Sequence, residues 1–136
     1  MTETSSCYVT LATLRRLGWG RVTVIYHIAA ASDWKQAQRA GQYTMSTRGR
    51  TLAEEGFIHA STAEQVPLVA GAYYQGVPDL VLLVIDTERV RPELRYEQVP
   101  GQPDPYPHIY GPLNLDAVLE TRPFQAPASP PPPPAS

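Results

Sequence analysis

Three histidines carry the chemical interest of this chain, His27, His59 and His108, within "IYHIA", "FIHAS" and "PHIYGPL". Each lies at or beside a β-rich run, next to an aromatic ring or a hydroxyl. A single histidine in such a setting is ordinarily a core or edge residue bonded to a carbonyl. Three in similar settings suggest a shared site. Strand alternation places Phe57, His59 and Ser61 on one face, and Tyr106, His108 and Tyr110 on another. Imidazole, phenol and hydroxyl groups both donate and accept hydrogen bonds. Aromatic walls with a few convergent polar groups are what a small-ligand pocket requires.

The stretch "EGFIHAST" (Glu55–Thr62) sharpens the point. Ser61 and Thr62 stand where a helix is expected to begin. Capping alone explains the two hydroxyls, but free N–H groups at a helix start also favour an anion such as phosphate. Glu97, inside "LRYEQV", is the carboxylate of interest, because glutamate is depleted in strands and costly to bury alone. Glu54 and Glu55 read as solvated, and Asp86 and Asp116 as turn or cap residues.

Other chemistries find little support. The histidines are separated by 32 and 49 residues, with no HxH or HExxH spacing, so a three-histidine zinc site has no local motif behind it and no metal site is expected. Ser61 lacks the glycines of a nucleophile elbow. Neither GxGxxG nor a P-loop is present. Cys7 is the only cysteine, which excludes an internal disulfide and a multi-cysteine zinc site.

The elements that must position these groups follow from the pattern. Val22–Ile28 is β-rich, with His27 on the face of Ile25 and Thr23. Ser32 is expected to cap a helix over Asp33–Ala40, stopped by Gly41, with Trp34 and Ala37 inward. Residues 42–54 read as polar and irregular, and Phe57–Ala60 as a short strand. Val66, Val69, Ala70 and Tyr73 form one helical face. Thr62 and Gln65 match a capping box, although Pro67 favours a regular start only there. Leu80–Ile85 is apolar on both faces and reads as a central strand. Leu94–Val99 is a strand. Tyr106–Tyr110 is another, and Pro107 marks it as an edge. Asn114–Thr121 leads into a last strand ending near Phe124.

At 136 residues and 43% hydrophobic, the chain suits one domain with a real core. That domain is expected over residues 22–124. Residues 1–21 read as a poorly ordered extension, or as residues upstream of a true start near Val22. Residues 125–136 read as a disordered proline-rich tail. Pro123–Ser136 holds seven of the fifteen prolines and no charge, and a proline-reading partner for it is a lesser expectation. A net charge of -2 argues against nucleic acid as a partner. No run approaches the ~20 apolar residues of a membrane span. A cytoplasmic protein is expected.

"IYHIA…DWKQAQRAGQY", "LAEEGFIHASTAEQV", "DLVLLVID", "LRYEQVP" and "YPHIYGPLNLDAVLE" resemble the small bacterial family known as domain of unknown function 952, in the same block order. The resemblance covers about Val24–Phe124. It implies the ADP-ribosylation fold, a split-sheet α+β architecture of enzymes that cleave NAD at the nicotinamide bond. By position His27 resembles the early-strand residue that faces a ribose in those enzymes. Glu97 is the counterpart of their later-strand glutamate, and Tyr106 or Tyr110 of their nicotinamide-covering aromatic. His59 and His108 lie outside that catalytic pattern.

The expectation is therefore an α+β fold, an ADP-ribosylation-like split sheet of about six short strands with two main helices. His27, His59, Glu97 and His108 are its candidate catalytic residues. Trp34, Ser61, Thr62, Tyr106 and Tyr110 are its candidate ligand contacts. The leading function is binding of a nucleotide, NAD or ADP-ribose-type ligand, with its turnover left open and no cofactor required. The alternatives are a non-catalytic sensor or interaction domain and, behind it, a metal-dependent hydrolase.

Overall fold

The computed structural model describes residues 23–126, so the expectations for residues 1–21, and for the tail beyond Ala126, lie outside the described residues. The fold is mixed α+β, with ten strands and three α-helices among the described residues: more elements than expected, because several are very short. β1 (Val24–Ala30), β6 (Leu80–Asp86) and β10 (Val118–Phe124) form an antiparallel sheet with β6 in the centre. β5 (Ile58–His59), β8 (Tyr106–Tyr110) and β7 (Glu93–Glu97) form a second one, in the order β5-β8-β7. β2 (Gln42–Tyr43) pairs with β9 (Leu113–Asn114), and β3 (Met45–Thr47) with β4 (Arg50–Thr51). The chain leaving β5 bridges back to β1. Tyr26 N–H donates to Ser61 O at 2.7 Å and Ser61 N–H to Tyr26 O at 2.8 Å.

The central place of β6 follows from its sequence. Leu83 and Ile85 pack into one core cluster, with Ile25, Ala29, Tyr43, Ile58 and Ile109. Leu80 and Leu82 pack into a second one, with Ile28, Val66, Val69, Tyr74 and Tyr106. A strand buried on both faces needs an unbroken apolar run, which this one has. Ala126 is also buried in the second cluster.

α1 (Ala31–Ala40) ends as expected, at Gly41, whose φ of 90° lets its N–H reach Ala37 O. Its start differs from the expectation. Ala30 occupies the N-cap without a side-chain bond, Ser32 lies inside the helix, and Ala31 N–H is taken by Asp79 O at 2.8 Å. A tertiary carbonyl thus replaces the local cap.

Residues 42–54 are not irregular. They form β2, β3, β4 and most of α2 (Leu52–Glu55), whose Thr51–Glu54 capping box is complete and whose stop is Gly56. Ahead of α3 (Val66–Tyr73) only half of the expected capping box forms: Gln65 Oε1 accepts from Thr62 N–H at 3.0 Å. Pro67 sits in the first turn of that helix, as its missing N–H requires.

Tyr106–Tyr110 is central in its sheet rather than an edge. Pro107 is accommodated because the β5 pairing has already run out, through His59↔His108. At the next position Pro107 needs only to accept, from Ala60 N–H at 3.0 Å.

Candidate functional site

The register of the second sheet builds the site. His59 stands opposite His108, Arg95 opposite His108 on the other side, Glu97 opposite Tyr106, and Glu93 opposite Tyr110. Directly opposed residues share a face. One face of this sheet therefore carries Ile58, Ile109 and Leu94 into the first core cluster. The other carries the rings and charges.

Glu97 organises that outer face. Its Oε1 accepts from His108 Nδ1 at 2.7 Å and from the Tyr110 hydroxyl. These two hydrogen bonds, Tyr110 first, hold its carboxyl below the ordinary glutamate range. An ionised carboxylate only accepts, so Nδ1 of His108 carries a proton. In a neutral ring the Nε2 lone pair then points away from Glu97.

His108 is 5% exposed and lies against Phe57, with ring centroids 4.1 Å apart. His59 stacks on Tyr106 at 5.1 Å and stands 5.4 Å from His108. Burial, with the nearby His108 and His27, lowers its pKa to about 4, so the ring is neutral at pH 7. Nε2 of His59 and Nε2 of His108 are both buried with no hydrogen-bond partner among the described residues.

These rings floor a cleft of about 420 Å³, within the size range of small-molecule sites. Phe57, Tyr73 and Val99 supply its apolar walls, and Thr47, Arg48, Arg50 and Glu55 its polar rim. Arg50 pairs with Glu55 at 2.7 Å, and Arg48 donates to Tyr73 O at 3.4 Å. Both arginines flank Gly49, whose φ of 71° serves the tight turn from β3 to β4. Tyr73, expected on the inner face of its helix, is 54% exposed and lines the cleft instead. A larger hollow, of about 1180 Å³, lies between the start of α1, residues 76–79 and the end of β10. It has no convergent ring nitrogens, so the smaller cleft is the better candidate.

The remaining expected residues fall elsewhere. His27 is 3% exposed, on the β1 face that packs into the first core cluster. Its Nδ1 donates to His59 O at 2.6 Å and its Nε2 accepts from the Tyr43 hydroxyl at 2.8 Å. Burial lowers its pKa to about 4, against the opposing effect of the carbonyl bond. Burial also pushes the Tyr43 phenol well above its ordinary value, which keeps it a donor. With both ring nitrogens engaged, His27 cannot join His59 and His108 on a metal, which removes the three-histidine zinc site. Trp34 packs on the first core cluster, 6.4 Å from Tyr43. Ser61 is buried beside His27 and His59, lining a very small internal cavity with Ser46 and Tyr74. Thr62 belongs to the turn before α3. Tyr106 is buried under His59, and its hydroxyl donates to Gln102 Oε1 at 3.2 Å. Tyr110 does not line the cleft: it donates to Glu97, packs on the back of Phe57 with ring centroids 5.5 Å apart, and carries the Arg95 guanidinium on its ring at 4.5 Å.

Arg48 and Arg50 were not among the expected site residues. Their signal was "STRGR", two arginines astride a glycine in a polar stretch. Arginine suits bidentate recognition of carboxylate or phosphate.

The family model described as "Protein of unknown function (DUF952)" matches residues 28–121. The chain belongs to the DUF952 family. The crystal structure of protein CC0527 from Caulobacter crescentus is similar, at 30% identity and a TM-score of 0.68, covering 76% of this chain and 87% of that one. The solution NMR structure of CC0527 is similar at 31% identity and a TM-score of 0.59, covering 72% of this chain and 81% of that one. No curated protein matches the chain. All the cleft residues named above lie within the span of this DUF952 match.

Proposed function

We propose that the cleft above His59 and His108 binds a small anionic ligand of the nucleotide, NAD or ADP-ribose type. One observation carries the reading. Two buried ring nitrogens without partners belong to histidines that line a cleft whose rim bears two arginines. A buried polar atom left unpaired is costly; a ligand hydroxyl can donate to the Nε2 lone pair of His108, and a hydroxyl satisfies His59 in either tautomer. The separation of the two three-stranded sheets, joined through Tyr26 and Ser61, supports an ADP-ribosylation-like architecture.

Turnover belongs to the same proposal. The Glu97–His108 pair resembles a general base with its orienting carboxylate. In that role Nε2 of His108 takes a proton from water or from a ligand hydroxyl, while Glu97 stabilises the imidazolium that forms. The sensor reading is favoured by a different observation: Glu97 is engaged by its own neighbours rather than free for a ribose hydroxyl. The net charge of -2 favours a small-molecule ligand over nucleic acid. Among the described residues no helix is long and apolar enough to cross a membrane, which with the single cysteine supports a cytoplasmic location.

A thermal-shift screen with NAD, ADP-ribose and nucleotides, in chelator-treated buffer, tests the reading. A hit should bind His59→Ala roughly tenfold more weakly, the ~1.4 kcal/mol of a hydrogen bond to a charged group. Product analysis of the hit separates enzyme from sensor. If no compound shifts the melt, or if His59→Ala binds as wild type does, the cleft is not this site.

A further inference from the structure

We propose that His59 and His108 together bind one divalent transition-metal ion of the zinc class, with Glu97 as the positioning residue for His108. The three-histidine arrangement excluded above is a different site. This one uses the facing pair His59↔His108, which the antiparallel register puts on one face of one sheet.

Three observations support it. Both Nε2 atoms are buried without a partner among the described residues. The two rings stand 5.4 Å apart. An imidazole bonded to zinc at ~2.0–2.1 Å has its ring centre roughly 3 Å from the ion, so two such rings at a tetrahedral angle lie about 5 Å apart. The spacing found is close to that. Next, Nδ1 of His108 is bonded to Glu97 at 2.7 Å. A histidine that ligates a metal typically donates its other ring N–H to a carboxylate, which fixes the tautomer and raises the basicity of the coordinating nitrogen.

Among the described residues no three His, Cys, Asp or Glu side chains are grouped to hold one ion. The remaining coordination positions would therefore be filled by water or by an oxygen of a bound ligand, one more open position than a three-ligand catalytic zinc site has. The cleft gives such a ligand room, and with the ion bound Nε2 of His108 is a ligand in place of the general base proposed above.

The proposal stands or falls without the nucleotide reading, because its probe is the metal alone. Zn²⁺ is titrated calorimetrically into a Cys7→Ser background, and Co²⁺ is added to the same protein for NMR of the histidine rings. The expected result is one bound equivalent, with the strongest paramagnetic broadening on His59 and His108 and a weaker effect on His27, whose ring is bonded to the His59 carbonyl. Affinity should fall tenfold or more in His59→Ala and in His108→Ala. Glu97→Gln should cost roughly 10- to 100-fold, the range for loss of an outer-shell carboxylate. Absence of binding, broadening centred on other residues, or an unchanged affinity in folded His59→Ala would overturn the site. If the variants fail to fold, the ring broadening in the Cys7→Ser protein decides alone. A nucleotide hit in chelator-treated buffer with no metal binding would leave the nucleotide reading intact and reject this one.

Discussion

His27 holds the strand that presents His59. Its Nδ1 donates to the carbonyl of His59 at 2.6 Å while its other nitrogen takes the Tyr43 hydroxyl. The first sheet is thus fastened to the second by a side chain that never reaches the cleft. Replacing His27 with Ala would leave a buried carbonyl and a buried phenol unpaired and open a cavity in the first core cluster. The expected cost is roughly 2–4 kcal/mol of unfolding free energy, read by urea denaturation. A cost below that of His59→Ala would contradict the fastening role.

The same burial predicts a pH dependence. His27 and His59 have folded pKa values of about 4 against an ordinary 6.5. The unfolded chain therefore binds more protons between those values. The stabilisation is fully present above pH 6.5, is lost as pH falls through that window, and changes no further below about 4. The slope approaches 1.4 kcal/mol per pH unit for each histidine in mid-window. Urea midpoints at pH 7.5 and pH 5 measure it. Equal midpoints would mean that the rings are not buried neutral.

How much of this was legible in the sequence depends on the length and polarity of each segment. Leu80–Ile85 could be placed at the centre of a sheet because a six-residue apolar run has few other uses. Gly41 marked the end of α1 because an αL residue is favoured there. Residues 42–54 were illegible for the opposite reason. β2, β3 and β4 are two or three residues long; β2 is held by Leu113 and Asn114, far along the chain, and β3 and β4 pair only with each other, in runs too short to show a period. Alternation correctly put His27 with Ile25, but alternation does not tell which face is core and which is cleft. His27 therefore read as a site residue, like His59. Pro107 argued for an edge, and only the early end of β5 explains why a central strand tolerates it. Glu97 stood out as a carboxylate in a strand. Its partners His108 and Tyr110 are set by the β7–β8 register, which no local pattern encodes.

Gly111 follows Tyr110 at the point where the chain leaves β8. A Cβ built there would lie 2.9 Å from Cβ and 3.3 Å from Cγ of Pro92. A proline ring cannot rotate aside, so Gly111→Ala must displace either the β8 exit or the segment before β7. The expected destabilisation is about 1–3 kcal/mol, as for other overpacked sites, measured by thermal or urea melts. A variant as stable as the parent would show that the approach of the two segments is loose.

Tyr110→Phe isolates the electrostatics of the site from its packing. The ring that Arg95 covers at 4.5 Å is retained, and only the hydroxyl donor to Glu97 is removed. That hydrogen bond is the largest influence lowering the Glu97 pKa, with the His108 bond next. In Tyr110→Phe the Glu97 carboxyl should therefore titrate at higher pH than in the parent, closer to 4.5, by NMR of its side-chain carbon. The sign for stability follows. A carboxylate with a depressed folded pKa stabilises above its unfolded value, and that contribution is lost as pH falls through the folded one. The variant should lose less stability on acidification across that range, because it has less to lose. His108 should keep its proton on Nδ1 in both proteins, since Glu97 remains its acceptor, and the ring nitrogen shifts report this directly. A Glu97 titration that does not move would mean that the carboxylate is governed by His108 alone. In that case Tyr110 serves the site only by its packing on Phe57.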